Sequence, residues 1–202
     1  MRQITVLVEG YAREWSSSGW EATSTATLIE TGAGNIVCDP GLNVELLEKG
    51  LAAKNLKFRD IDWVFLTHWH PITSYAVALF TKAKVVDSKG VYWAGKLDIH
   101  QGKIPGTEIN IWKTPGHTLD HSVLVVPIED ETVYVVAGDN FWWAEDEEQL
   151  TDRKSLLEKK DALAVDEKAL LKSRKDILAV ADFIIPGHGK MFEIAESKLI
   201  EK

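Results

Sequence analysis

The stretch Ile61-Asp62-Trp63-Val64-Phe65-Leu66-Thr67-His68-Trp69-His70 decides the fold. Its first six residues are bulky and alternate poorly, which is the pattern of a buried strand rather than a half-exposed one. Side chains two apart in an extended segment leave the same face, so His68 and His70 aim at one point. Two imidazoles converging at a strand end are half of a metal site. Three other segments offer the missing donors: Thr114-Pro115-Gly116-His117, Ala137-Gly138-Asp139 and Pro186-Gly187-His188-Gly189. Each follows, or lies in, a break after an apolar run.

Outward from that stretch, residues 4–9 and 22–30 alternate apolar with polar and predict half-buried strands, with a loop over 10–19 between them. An apolar run at 36–38 ends on Asp39-Pro40-Gly41. Asn43 caps a helix predicted through about residue 53, with Val44, Leu47 and Leu51 on one face. A short helix is expected over 74–81, a strand over 84–87, and irregular chain with one short strand or helix over 91–106. Residues 107–114 and 122–127 alternate, and 132–137 reads as a buried strand. The charged segment 152–181 predicts two helices broken near Ala164-Val165, the second capped by Asp166. A last strand, 183–185, delivers His188, and a terminal helix is expected over 193–200. Strands with helices between and after them predict layered α/β architecture. A faint duplication pairs strands ending in Asp39 and His68 with strands ending in Asp139 and His188. No linker composition interrupts the 202 residues, and one domain over 1–202 is expected.

Composition narrows the function classes. A formal net charge of -8 runs against non-specific binding to a phosphate backbone. The lone Cys38 cannot close an intrachain disulfide, and no long apolar segment predicts a membrane span; a cytoplasmic protein is expected. Of the eight tryptophans, Trp63 and Trp112 fall in strand patterns and belong to the core, whereas Trp69, Trp142 and Trp143 neighbour the candidate donors and are expected as pocket walls.

The ordered motifs Asp39-Pro40-Gly41, Thr67-His68-Trp69-His70, Thr114-Pro115-Gly116-His117-Thr118, Ala137-Gly138-Asp139 and Pro186-Gly187-His188-Gly189 resemble those of the metallo-β-lactamase superfamily over roughly residues 4–192. Glu9-Gly10-Tyr11-Ala12 and Ser173-Arg174-Lys175-Asp176 are similar to its branch of small single-domain members. The resemblance implies an αββα sandwich with metal at one edge of two sheets. It also implies hydrolysis of an ester, thioester, amide or phosphodiester bond in a small-molecule substrate. By motif position His68, His70 and His117 match a three-histidine first metal site, Asp139 the bridging carboxylate, and His188 a ligand of the second site.

Where that family runs HxHxDH, this chain runs His68-Trp69-His70-Pro71-Ile72-Thr73. Isoleucine ligates nothing, and a threonine hydroxyl is a poor zinc ligand beside imidazole or carboxylate. One strongly held metal is therefore expected, zinc first, with iron or manganese as alternatives. Three histidines and an open position suffice for Lewis-acid hydrolysis. Asp139 either completes the coordination or acts as base for water. Two rival expectations remain: a mononuclear iron oxygenase using the positions of His68, His117 and Asp139, and a binder that has lost catalysis. His121 is expected to be structural, His100 exposed, and Asp39 an acid that orients a ligand or a turn. Asp120 has no assigned role, and Glu145-Asp146-Glu147-Glu148 reads as a solvated surface.

Overall fold

The computed structural model describes residues 2–194. Strands β1 (Gln3–Val8), β2 (Tyr11–Ser16), β3 (Gly19–Thr23), β4 (Ala26–Thr31) and β5 (Gly34–Cys38) lead into helix α1 (Val44–Ala53) and strand β6 (Trp63–Phe65). A single helical turn, α2 (Pro71–Ser74), continues as a 3-10 turn over Tyr75–Leu79. Then come β7 (Lys84–Val86), β8 (Val91–Trp93), β9 (Lys96–Asp98), β10 (Asn110–Lys113), β11 (Ser122–Pro127) and β12 (Val133–Trp142). Helices α3 (Arg153–Glu158) and α4 (Glu167–Leu178) precede β13 (Phe183–His188) and the short β14 (Phe192–Glu193).

The strands form a seven-stranded sheet, β1-β4-β5-β6-β7-β8-β9, a five-stranded sheet, β10-β11-β12-β13-β14, and the separate hairpin β2-β3. Pairing is parallel at β5-β6, β6-β7 and β12-β13 and antiparallel elsewhere.

Successive residues of the central strands leave opposite faces, and both faces are covered. In β4 and β5, Ile29, Ile36 and Cys38 point into a cluster that also takes Leu124, Val126, Val136 and Ile185 from the other sheet. Their neighbours Leu28 and Val37 point the other way, against Leu47 and Leu51 of α1. In the five-stranded sheet Val123, Val125, Val135, Ala137 and Ile184 meet Leu156 of α3 and Ile177 and Leu178 of α4. The result is helix, sheet, sheet, helix: the αββα layering expected. It also explains why these strands read as unbroken apolar runs. The helix ends are capped as expected. Asn43 Oδ1 accepts from Leu46 N at 3.2 Å, and Asp166 Oδ1 from Lys168 N and Ala169 N at 3.0 and 2.9 Å.

The structure corrects several expectations. The predicted loop over 10–19 is mostly the hairpin β2-β3, and the predicted strand over 22–30 breaks at Ser24-Thr25. There the backbone is taken by other segments: Ser24 N donates to Ile72 O at 3.1 Å and Thr25 N to Gly187 O at 2.7 Å. Gly10 lies so close that a Cβ would sit 2.4 Å from both Gly187 O and Thr25 N. The irregular segment 91–106 holds the hairpin β8-β9, turned by Ala94 and Gly95 at positive φ. Strand β12 runs on through Asp139 to Trp142, five residues past its expected end. The break between α3 and α4 is a whole segment, residues 159–166, rather than a kink. The terminal helix expected over 193–200 lies, past Ile194, outside the described residues.

Phe65, the last residue of β6, is fully buried between the sheets, three residues before His68. Phe65→Ala is expected to cost about 3–5 kcal/mol, because it removes a large apolar side chain and leaves a cavity that rigid strands cannot close. Urea unfolding of the two proteins measures the difference.

Candidate metal centre

Strand ends bring the candidate donors together. The chain leaves β6 and places His68 and His70 before α2, His117 lies between β10 and β11, Asp139 lies inside β12, and His188 ends β13. The β12-β13 register is irregular on both sides of Gly138, so Asp139 stands out of the regular ladder. Gly138 has φ +49°, and a Cβ there would sit 2.5 Å from Thr67 Oγ1; the two sheets touch at that point because the residue is glycine. Ser122 N closes the same seam by donating to Thr67 O at 2.9 Å.

His68, His70, His117 and Asp139 each place one ligand atom within 4.8 Å of all the others. The edges are 3.0 Å for His68 Nε2 to His70 Nδ1 and 3.2 Å for His70 Nδ1 to His117 Nε2. Asp139 Oδ2 lies 3.2 Å from His117 Nε2 and 3.6 Å from His68 Nε2. Four donors at zinc bond lengths of about 2.0–2.1 Å stand about 3.3 Å apart in a tetrahedron, so these residues fit such an ion. A further observation agrees: Asp139 Oδ1 is buried with no hydrogen-bond partner among the described residues.

The outward nitrogens of two histidines are spoken for. His68 Nδ1 lies 2.9 Å from Thr67 Oγ1, which lies 2.8 Å from Asp39 Oδ2, while Thr67 N donates to Asp39 Oδ1 at 2.8 Å. Where Asp39 is ionised, the hydroxyl donates to it and accepts from His68 Nδ1–H, which leaves the Nε2 lone pair facing the cluster; a protonated Asp39 reverses the relay. Burial pushes the Asp39 carboxyl up to about 8, Thr67 opposing and Asp139 adding to the rise. Burial also holds His68 well below the ordinary histidine value, and His70 below it, so both favour the neutral, metal-ligating form. For His117 burial acts downward, but the bond to Asp161 and the charge of Asp139 outweigh it, and the net direction is up.

A family model for the metallo-beta-lactamase superfamily matches residues 19–71. The Mus musculus protein named metallo-beta-lactamase domain-containing protein 1 is 35% identical over 204 residues, covering 94% of this chain and 74% of that protein. Its Xenopus laevis namesake is 29% identical over 199 residues, covering 95% and 81%. The chain belongs to the metallo-beta-lactamase superfamily. Solved structures agree on the fold. AidC, a dizinc quorum-quenching lactonase in complex with a product, superposes with a TM-score of 0.67 at 16% identity over 89% of this chain and 82% of that one. TTHA1623 in a di-iron-bound form gives 0.58 at 22% identity over 85% and 90%.

Within this member of the superfamily the remaining candidates fall in different places. His188 is outside the four-atom group; its Nε2 faces Asp139 Oδ1 at 3.8 Å, and its Nδ1 lies 3.1 and 3.0 Å from the carbonyls of Tyr11 and Thr23. Only Nδ1–H can satisfy those carbonyls, so in the neutral ring Nε2 is left bare toward Asp139. Thr73 is buried with Oγ1 3.5 Å from His68 Nε2, and Ile72 is half-buried. Trp69 is 50% exposed and pinned by an Nε1–H bond to Asp87 Oδ2 at 2.8 Å. The Trp142 ring lies 6.1 Å from that of His188. Trp143, expected as a pocket wall, lines a cavity with Tyr11 and Gly189 and is otherwise buried in the core cluster that holds Leu156 and Ile177.

His121 is structural as expected: fully buried, stacked on His68, bonded through Nδ1 to Thr114 and Asn140, and pushed down to about 3 by burial. His100, expected to be exposed, is half-buried, with Nε2 2.9 Å from Asp87 O. Asp120 pairs with Lys89 at 2.8 Å. Two residues that take part went unassigned in the sequence, Asp161 and Arg174. Neither carries a local signal, since Asp161 meets His117 across 44 residues of chain.

Thr67→Val keeps the shape of the side chain but leaves both Asp39 Oδ2 and His68 Nδ1 without their shared partner in a buried place. A loss of about 1–3 kcal/mol is expected, with Thr67→Ser close to the parent protein. Thermal melting of the three proteins in chelator measures it without any contribution from metal.

Proposed function

We propose that this chain is a metal-dependent hydrolase working with one tightly held zinc ion. The observation that carries the reading is the set of four edges between 3.0 and 3.6 Å joining His68 Nε2, His70 Nδ1, His117 Nε2 and Asp139 Oδ2. Those atoms would hold the ion. When bound, zinc supplies a Lewis acid that polarises a carbonyl or phosphoryl oxygen and makes water acidic enough to ionise near neutral pH.

Asp139 is the donor that yields. Its edges to the imidazoles are 3.2 and 3.6 Å against 3.0 and 3.2 Å among the imidazoles themselves, and its Oδ1 has no partner among the described residues. Oδ1 is thus the atom that takes the proton of the attacking water, in the role of general base. His188 Nε2, a bare acceptor on the same side, holds that water in place. Trp69 offers a fixed aromatic shelf beside the cluster for the non-reacting part of the substrate.

A single ion is favoured by the turn of α2. Where a second site needs further imidazole or carboxylate, that turn presents Ile72 and the Thr73 hydroxyl. The substrate is a small molecule with an ester, thioester, amide or phosphodiester bond. A net charge of -8 weighs against nucleic acid. The single buried thiol, Cys38, fits a cytoplasmic place of action, and the core shared by both sheets fits one domain over residues 1–202.

Elemental analysis after dialysis against zinc is expected to find one ion per chain. Ile72→Asp combined with Thr73→His is expected to raise the count toward two. Two equivalents in the parent protein would overturn the one-ion reading. Iron in the purified protein together with oxygen uptake on a thiol panel would replace the hydrolase by an oxygenase using His68, His117 and Asp139.

A further inference from the structure

His117 is held from outside the cluster by a residue far along the chain. Asp161 lies in the segment 159–166, and its Oδ2 is 2.8 Å from His117 Nδ1, with both side chains wholly out of solvent. Its other oxygen, Oδ1, accepts from Leu163 N at 3.0 Å, so the carboxylate is clamped at both ends.

The segment is tied down beside its target. Val165 N and Asp166 N both donate to Gly116 O, at 2.9 and 3.0 Å, and Gly116 is the residue before His117. Arg174 of α4, buried, donates one Nη–H to Lys159 O and its Nε–H to Asn140 O at 2.7 Å. Asn140 is the residue after Asp139, so a single guanidinium joins the strand of one cluster donor to the segment that braces another. A buried arginine spent on two backbone carbonyls is a costly way to close a loop. It makes sense if the position of Asp161 has to be fixed relative to Asp139.

We propose that Asp161 is a positioning residue for His117, and that Arg174 sets Asp161 in place. The inference rests on reading the four-atom cluster as a metal centre. The carboxylate accepts His117 Nδ1–H, which fixes the tautomer and the ring orientation and directs the Nε2 lone pair at His70 Nδ1 and Asp139 Oδ2. A charged acceptor also makes the imidazole a stronger donor. The contrast with His68 is chemical: there the outer nitrogen meets a neutral hydroxyl that relays to Asp39, whereas His117 meets a full carboxylate directly.

The test uses the full chain with Asp161→Ala and Asp161→Asn. The second keeps an acceptor and the size of the side chain while removing its charge. Long-range 1H–15N NMR of the metal-free proteins reports the His117 tautomer, and competition against a chelator reports the zinc dissociation constant. The parent protein is expected to carry His117 protonated at Nδ1, with the other tautomer gaining population in Asp161→Ala. Zinc affinity is expected to fall about 10–100-fold in Asp161→Ala and by less in Asp161→Asn. Dissociation constants within about twofold of the parent for both variants would overturn the proposal. So would a parent His117 protonated at Nε2, since Asp161 would then be bracing the loop alone. A parent protein that binds no zinc would sink the metal reading, and the NMR result would still decide whether Asp161 sets the tautomer.

Discussion

Four acceptor atoms crowded into a buried space at the edge of two sheets are the constraint on which the structure depends. Two imidazole nitrogens 3.0 Å apart, with a carboxylate oxygen 3.2 and 3.6 Å from its imidazole neighbours, repel one another unless a proton or a cation lies between them. Burial makes the proton an unfavourable answer at His68, where the charged form is strongly disfavoured. A divalent cation satisfies all four at once, so its binding free energy is coupled to the stability of the strand ends that hold the donors. The fold therefore has to keep the donors together in the cation's absence. It does so with backbone: the Ser122-Thr67 bond, the close approach permitted by Gly138, and the crossing at Thr25 and Gly187.

Three histidines, His68, His117 and His188, are each bonded back to a different part of the molecule. His68 leans through Thr67 on Asp39, at the end of β5; His117 leans on Asp161, in front of α4; His188 leans on carbonyls at either end of the β2-β3 hairpin. The cluster thus sits where the two sheets and the segment before α4 meet, with the β2-β3 hairpin behind the neighbouring His188. This is how a sequence can spread its donors over 72 residues, from His68 to Asp139, without loss of precision.

Much of this was legible in the sequence, for reasons that can be named. His68 and His70 were readable as a pair because strand geometry aligns alternate residues, and Asn43 and Asp166 because cap chemistry is local. The β2-β3 hairpin was missed because Gly10 to Gly19 has loop composition; its strands owe their place to pairing with each other and to the His188 contact. The burial of Trp143 was not readable, because closeness to Asp139 in sequence does not say which side chains past the end of β12 join the core cluster of Leu156 and Ile177. Asp161 was invisible because its meaning lies in a contact 44 residues away, set by the Gly116 and Arg174 ties.

The turn after His70 shows how fold and site chemistry part company. Its backbone has fixed duties: Ile72 O accepts from Ser24 N at 3.1 Å, Thr73 O accepts from Gly41 N at 2.9 Å, and His70 O takes Ser74 N. Those bonds knit β3, β5 and α2 together whatever side chains the turn carries. Those bonds form with Ile72 and Thr73 in place, neither of which is a strong metal donor. The likeness to AidC at a TM-score of 0.67 reports on that backbone, while AidC's two zinc ions are a property of its own side chains. The backbone likeness therefore carries no count of ions for this chain, which turns on its own side chains, Ile72 and Thr73 among them.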